Sequence, residues 1–338
     1  MRVRGMLFWG ASALLVLPAA ALTLVRLLGL DSAPAVRLVS FAPLALPSYA
    51  AALVLLAVAL LRRPARGAGG GRLLVAATVA VLVGLGLHAW WLAPLVTGER
   101  PATEGRTWSV LTSNLLAGQG DGLTVLRTAV AEDVDVLVLQ EVTLDALATL
   151  DRAGLAEAYP HRIGEAVPEG RTDGTMVLSR TPLGEPLRVA TDMQSWAVDV
   201  ADPDGGDPVR LLAVHPAAPT DVGAWRRDHA VVLAAARELD VDLVAGDLNA
   251  TLDHAPVQAL VDGGWRDATE EANGGWQPTW PSNGLFESLP LPPLVQIDHV
   301  LTGPGWVGTS SRPLRVEGTD HLALLVEVAR AADDPPAP

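Results

Sequence analysis

The chain has 338 residues, half of them hydrophobic, a formal net charge of −14 and no cysteine, which excludes disulfide bridges and thiolate metal sites. All 24 basic residues are arginine, and they are unevenly spread: residues 1–98 hold eight Arg and one acid, Asp31, for a net +7, whereas the remainder holds 16 Arg and 37 acids, for a net −21. So acidic a body repels the phosphate backbone and lacks the basic footprint of a general nucleic-acid binder.

Three uncharged apolar stretches come first, at residues 6–25, 38–61 and 73–96. Each reaches the roughly 20 residues that a helix needs to cross about 30 Å of hydrocarbon. Pro18, Pro43 and Pro47 lie within them, and membrane helices tolerate proline. Trp90 and Trp91 fall near the end of the third stretch, where interfacial aromatics belong. Residues 1–97 are therefore expected to form a membrane anchor of three transmembrane helices in contact with the lipid bilayer. Arg2 and Arg4 precede the first span, and Arg62, Arg63, Arg66 and Arg72 fill the loop between the second and third. The first loop has only Arg26 and Arg37, opposed by Asp31. The positive-inside rule then puts the amino terminus in the cytoplasm and, after three crossings, everything beyond Val96 outside it. The expected location is thus a multi-pass cell-membrane protein with an extracytoplasmic domain. A competing reading takes residues 1–21 as a cleaved signal peptide, ending in Ala19-Ala20-Ala21; it leaves two spans and the same outward-facing domain.

Residues 98–107 are polar and contain Gly and Pro, as a linker would. Residues 108–329 then alternate between two periodicities. Strands are expected at 108–114, 134–140, 175–178, 195–200, 209–214, 242–245, 297–301 and 322–328. Helices are expected at 123–132, 144–153 and 224–239. Asp202-Pro203-Asp204-Gly205-Gly206-Asp207 supplies a hairpin turn. Hairpins mixed with helical crossovers argue for an α/β sandwich with antiparallel pairs, not a doubly wound parallel sheet. Residues 330–338 are expected to be a disordered tail.

Polar residues cluster where these apolar runs end. Asn114 ends the first strand and Glu141 follows the second. A carboxylate there must be ion-paired, metal-bound or solvated, and the Asn alone reads equally well as a turn residue. His215 ends another strand; by itself it is incidental, but beside other strand-end groups it becomes a donor to a phosphoryl oxygen. In Gly246-Asp247-Leu248-Asn249 the Gly permits a tight exit, and i, i+2 spacing can aim carboxylate and carboxamide to one side; an Asx-turn is the bland alternative. Two late segments, Ile297-Asp298-His299 and Asp320-His321, complete the set. If Asp298 accepts from His321, the imidazole is held in one tautomer and made a better base, leaving Asp320 free to face a metal. His299 is read as incidental. No Gly-x-Ser-x-Gly elbow, no Cys and no His-Glu-x-x-His run is present, so serine nucleophiles and zinc are disfavoured, and an oxygen-rich set favours Mg²⁺ or Mn²⁺.

In order, Asn114, Gln140-Glu141, His215, Gly246-Asp247-Leu248-Asn249, Ile297-Asp298-His299 and Asp320-His321 resemble the endonuclease/exonuclease/phosphatase superfamily, which includes DNase I-like nucleases, neutral sphingomyelinases and inositol-polyphosphate phosphatases. Residues 174–182 and Pro278-Thr279-Trp280-Pro281 are also similar to segments of it. The resemblance implies a four-layer α/β/β/α sandwich. It also implies Glu141 as the main Mg²⁺ ligand with Asn114 and Asp320 close to the ion, Asp298 orienting His321, Asp247 with Asn249 positioning water and phosphoryl group, and His215 stabilising the pentacovalent transition state. Whether Asp247 or His321 is the general base is left open. The abasic-site branch uses an active-site Tyr, and the only Tyr beyond the anchor is Tyr159, in a loop-like setting. Arg171, Arg226 and Arg227 are the only Arg that could be placed near the mouth, and each reads more readily as solvated surface. The activity implied is a metal-dependent phosphoric ester hydrolase acting on a small molecule or lipid head group, with a nuclease as the alternative enzyme and a non-catalytic tethered binding or sensor protein as the alternative of another class. No protein partner is implied.

Overall fold

The computed structural model describes residues 2–62, 71–98, 101–284 and 291–332. The chain divides into two compact units, Met1–Pro94 and Leu95–Pro338.

In the first unit, three helices are long and apolar enough to cross a membrane: Gly5–Leu28, Ala42–Leu61 and Gly71–Leu92. They pack through Ala19, Leu22, Ala45, Tyr49, Ala52, Leu56, Leu74 and Val81. Leu14, Val54, Leu73 and Val79 project from their other faces with more than half their surface exposed, an apolar exterior that suits lipid and not water. Inside, the Thr23 hydroxyl donates to Ala19 O at 2.8 Å and lies 2.9 Å from the Tyr49 hydroxyl and 3.0 Å from His88 Nε2, so the three helices share one polar contact. All three spans differ from their expected bounds, the first by running on to Leu28. The stretch 38–61 is interrupted: a short helix, Ala33–Val39, ends at Ser40, a 3₁₀ turn follows at Ala42–Leu44, and Ala45–Leu61 resumes. Pro43 lacks the amide hydrogen that a continuous helix would use there. The third helix stops at Leu92, and Pro94 opens a separate turn, Pro94–Thr97. Arg63 and Arg66 lie outside the described residues.

The second unit holds twelve strands among its described residues. They are β1 (Thr103–Asn114), β2 (Val136–Gln140), β3 (His161–Glu165), β4 (Thr175–Ser179), β5 (Leu187–Val189), β6 (Ser195–Val200), β7 (Val209–Val214), β8 (Leu243–Asp247), β9 (Arg266–Asp267), β10 (Asp298–Thr302), β11 (Trp306–Arg315) and β12 (Leu322–Ala331). They form two six-stranded sheets in the orders β11-β12-β1-β2-β4-β3 and β5-β6-β7-β8-β10-β9. Only β1–β2 and β7–β8 are parallel, and each of these pairs is joined by a helical crossover, as parallel pairing requires: Gly122–Ala131 and Val222–Glu238. Asp121 and Asp221 cap those helices by accepting from Thr124 N, and from Gly223 N and Ala224 N.

Strand alternation builds the layers. Val110, Val136, Val138, Val177, Leu324 and Val326 point from the first sheet into an inter-sheet core, where they meet Val198, Leu211, Ala213, Leu243, Ala245 and Val300 of the second. Their neighbours Leu111, Leu137, Leu139, Met176, Leu178 and Leu325 point the other way, onto Val125, Leu126, Ala129 and Leu150 of the covering helices. The result is the expected four-layer α/β/β/α sandwich. Both ends of the domain are longer than the hydropathy pattern indicates. Thr103 and Glu104, expected in the linker, pair with Ala331 and Arg330 of the expected tail, so β1 and β12 form an extended ribbon whose ladder bonds do not depend on apolar side chains. Residues 99–100 and 333–338 lie outside the described residues.

Candidate active site

One rim collects the polar strand ends. Parallel β1 and β2 stop there at Asn114 and Gln140, with Glu141 next; parallel β7 and β8 stop there at Val214 and Asp247, with His215 after β7. Antiparallel β10 starts at the same rim, Asp298 opposite Asp247. β12, antiparallel to β1, starts there too, directly after Asp320 and His321. Two residues need unusual backbone to fit. Gly246 has φ of 147°, and a Cβ on it would fall 2.0 Å from Val214 O, so only glycine lets β8 pass β7 here. Glu141 has φ of 57°, a left-handed turn that swings its carboxylate back over the strand ends.

Asn114 ties the two sheets together. Its Nδ2 donates to Glu141 Oε1 at 3.1 Å and to Asp247 Oδ2 at 3.0 Å, while its Oδ1 accepts from Leu116 N at 2.9 Å. The amide thus lies between two carboxylates instead of offering its oxygen to them. Glu141 Oε2 accepts from Ala117 N at 2.7 Å. Burial raises the Glu141 pKa; the bonds from Asn114 and Ala117 oppose that shift, and the nearby Asp247 charge adds to it. Asp247, 1% exposed, is likewise raised, by burial first and by Asp298, against the pull of His321 and His215.

Asp298 and His321 pair across the sheets, with Nδ1 and Oδ2 2.9 Å apart. Burial would lower the His321 pKa, but the carboxylates of Asp298, Asp247 and Asp320 reverse this and raise it to about 10. His215 is the opposite case: burial dominates, its pKa falls to about 4, and neither ring nitrogen has a hydrogen-bond partner among the described residues. The Nε2 atoms of His321 and His215 stand 3.7 and 3.8 Å from Asp247 Oδ2, too far for hydrogen bonds. A neutral and a cationic imidazole therefore flank one carboxylate without closing on it.

Asn249 departs from the extended arrangement. It has φ of 49°, its N–H donates to Asp247 Oδ1 at 2.8 Å in an Asx-type turn, and its Nδ2 donates to Pro216 O at 3.1 Å. One of its amide protons is thereby occupied. His299 is no idle neighbour: its Nδ1 lies 2.6 Å from Asp267 Oδ2 and its Nε2 3.1 Å from Gln296 O and 3.2 Å from Ala250 O, a buried pair that braces β9 against β10. Tyr159 is in the helix-side core and donates to Val134 O, away from the rim. Arg171 is engaged bidentately by Asp173, and Arg227 lies 3.5 Å from Asp192. Neither is a free cation at the mouth.

Several supporting residues carried no expected role. Trp280 Nε1 donates to Asp320 Oδ2 at 2.8 Å, and Thr279 Oγ1 accepts from the backbone N–H of Ile297 and Asp298. Thr319 Oγ1 donates to Asn114 O, and Ser195 Oγ accepts from His215 N. The Thr279-Trp280 dipeptide was the one legible signal, through the motif that contains it.

The donor set fits a hard divalent cation. Four carboxylates meet one imidazolium, leaving uncompensated negative charge, and the buried Oδ1 atoms of Asp320 and Asp298 lack any hydrogen-bond partner among the described residues. The tightest potential ligand group is Asp247, Asp298 and His321, with ligand atoms within 4.8 Å of one another. His321 occupies Asp298 Oδ2 only, so the unpaired buried carboxylate oxygens left at the rim among the described residues are Oδ1 of Asp298 and Oδ1 of Asp320.

Comparison with known proteins agrees with this geometry. The model of the Endonuclease/Exonuclease/phosphatase family matches residues 111–321, well over half of the chain. This chain belongs to that family. Its members are metal-dependent phosphoesterases and nucleases, and the chain is an enzyme of this type. No curated protein sequence matches it. Among solved structures, an endonuclease/exonuclease/phosphatase from Beutenbergia cavernae DSM 12333 is 21% identical, with 69% of this chain and 74% of that chain covered at a TM-score of 0.52. TDP2 from D. rerio, complexed with a single-strand DNA product, is 17% identical, with 66% and 99% covered at 0.54. A truncated TDP2 from Caenorhabditis elegans is 20% identical, with 68% and 100% covered at 0.53. At these identities the likeness is one of fold.

Proposed function

We propose that this family member is a membrane-anchored, Mg²⁺-dependent phosphoesterase whose hydrolytic domain faces away from the cytoplasm and cuts a small phosphodiester or phosphomonoester, a lipid head group being the favoured class. One observation carries the reading: Asn114, Glu141, His215, Asp247, Asp298, Asp320 and His321 converge from both sheets on one rim, with unsatisfied donors and acceptors left over. Glu141 and Asp320 are the residues that would hold the cation, with Asn114 close to it. A bound divalent cation would polarise the phosphoryl group and offset the charge of these carboxylates.

The chain's own residues divide the remaining work. Asp298 holds His321 by Nδ1, fixing the face that Nε2 presents. Asp247, its basicity raised by burial, accepts the proton of the attacking water; His321, cationic at neutral pH, suits a donor role better than a base role. His215 stays neutral and donates one N–H to a phosphoryl oxygen as charge develops there. Asn249 sets the turn that aims Asp247. The −21 charge of the region beyond residue 98 argues against duplex DNA, and the apolar helices supply the tether. The arginines before and between those helices support the outward orientation.

The test is hydrolysis of bis-p-nitrophenyl phosphate by the purified full-length protein, with Mg²⁺ and after chelation, beside Glu141→Ala and His321→Ala. Loss of activity in the variants and on chelation is expected; equal rates in all samples would sink the proposal. Efficient nicking of supercoiled plasmid at low salt would favour a nuclease instead.

A further inference from the structure

The loop between the helix Ala268–Glu271 and the active-site residue Thr279 carries an exposed tryptophan, Trp276, 44% accessible beside buried Gln277. This loop is fastened to the start of the second unit. Gly275 N donates to Leu95 O at 2.9 Å, Asn273 Nδ2 donates to Gly98 O at 3.0 Å, and the Leu95 side chain is only 6% exposed. On its other side Gln277 Nε2 donates to Ser311 O at 2.9 Å and to Gly274 O at 3.0 Å, and its Oε1 accepts from Ser311 Oγ at 3.0 Å. The loop is therefore clamped between residues 95–98 and β11, and the clamp leaves Trp276 and, at 66%, Val96 facing outward.

Chain continuity limits where residues 95–98 can be. The third apolar helix ends at Leu92, and three residues, even fully extended, span only about 11 Å. The polar head-group layer on each side of a bilayer is on the order of 5–8 Å thick. If the apolar helices span a membrane, Leu95 lies in or beside that layer, and the loop hydrogen-bonded to it is held there too. Trp, with an apolar ring and a polar N–H, is the side chain best suited to that layer. Charge favours the same mode, because a region of net −21 without lysine would be repelled by an anionic surface, so contact must come from apolar and aromatic groups.

We propose that the loop around Trp276, with Val96, is a docking surface for the head-group interface of the membrane in which the chain is anchored. It rests on the membrane-anchor reading of the first unit. Its consequence is positional: Trp280, which holds Asp320, follows Trp276 by four residues, so the loop on the lipid runs directly into the active-site rim.

The chain has no cysteine, so single-cysteine labelling is clean. Trp276→Cys, Val79→Cys on an outward face of the third helix, and Asp204→Cys in the β6–β7 turn, each made in the full-length protein, are labelled with bimane and placed in phosphatidylcholine nanodiscs. Half of the nanodiscs carry phosphatidylcholine with a nitroxide at acyl carbon 5. Expected is a loss of bimane fluorescence to the nitroxide lipid at 276 and 79 but not at 204, with position 276 shielded from aqueous iodide and unaffected by salt. A label at 276 that behaves like the one at 204, while 79 is quenched, overturns the docking surface and leaves the anchor standing. Absence of quenching at 79 overturns both.

Discussion

His229 offers a quantitative test of how the domain is assembled. It lies in the helix Val222–Glu238, 3% exposed, with its ring edge-on to Trp225 at 4.6 Å, Leu248 O as its hydrogen-bond partner and no partner for Nε2 among the described residues. Burial, reinforced by nearby His254, lowers its pKa from 6.5 to about 3. An unfolded histidine titrates near 6.5, so between pH 6.5 and 3 the unfolded chain binds a proton that the folded one does not. The stabilising effect is complete above pH 6.5 and is lost as pH falls below it, by up to about 1.4 kcal/mol per unit. At pH 4.5, two units below, the loss is about 3 kcal/mol from this residue alone, or roughly 6–12 °C in melting midpoint for a domain of this size. His229→Asn keeps a donor for Leu248 O but cannot take up charge. It pays a pH-independent cost for the lost ring packing, yet its midpoint should fall less between pH 7.5 and 4.5, by that same amount. Tryptophan-fluorescence melts of the full-length protein in detergent at both pH values measure this. His215, also lowered to about 4, contributes equally to both proteins and cancels. Parallel losses in wild type and variant would refute the reasoning.

Three further outcomes follow from the rim. Asp298→Asn removes the charge that holds His321 and should cut turnover on a phosphodiester by about 10²–10⁴-fold with little change in KM, read from steady-state kinetics. Trp280→Phe strands Asp320 Oδ2 at a cost of about 1–3 kcal/mol, which should lower the melting midpoint by roughly 2–12 °C, and with Asp320 no longer held it should also weaken the apparent Mg²⁺ affinity in activity titrations. Gly246→Ala forces a side chain against Val214 O in a backbone region that L-residues avoid, and should destabilise the domain by about 3 kcal/mol or more in thermal melts.

The strands that deliver the site were legible because they are short apolar runs ended by a polar residue: β6 and β7 coincide with their expected bounds, and β2, β4, β8 and β10 lie within two residues of theirs. β3, β5, β9 and β11 were not. His161–Glu165 reads HRIGE and Trp306–Arg315 reads WVGTSSRPLR; both are outer strands of the first sheet with half-exposed faces, so neither alternation nor a continuous apolar run marks them. Each pairs with the strand that follows it, β3 with β4 and β11 with β12, and it is that partner, not the edge strand, that carries the apolar run. At the site, residue types were readable and orientations were not. Nothing local to Gly-Asp-Leu-Asn tells whether Asn249 continues the strand or turns left-handed; the carbonyl of Pro216, 33 residues away, decides it. His299 looked incidental because its partner Asp267 belongs to a two-residue strand with no hydrophobic signature.

The contacts that define the rim run between the sheets more than within them. Asn114 and Glu141 come from the first sheet, and Asn114 bridges to Asp247 of the second at 3.0 Å; His321 precedes β12 of the first, and its partner Asp298 opens β10 of the second at 2.9 Å. Neither bond exists unless the sheets pack at one separation and one offset, and both are set by the inter-sheet core of Val110, Val138, Val177, Leu211, Ala245, Val300 and Val326. Hydrogen bonds of this kind weaken steeply with a few tenths of an ångström, whereas a core of branched aliphatic chains resists such sliding because each displaced side chain must change rotamer or open a void. The sandwich therefore functions as the clamp that keeps a carboxylate-rich site in register. The same apolar interface holds the left-handed turn at Glu141 in place, whereas Gly246 adopts its backbone without steric cost.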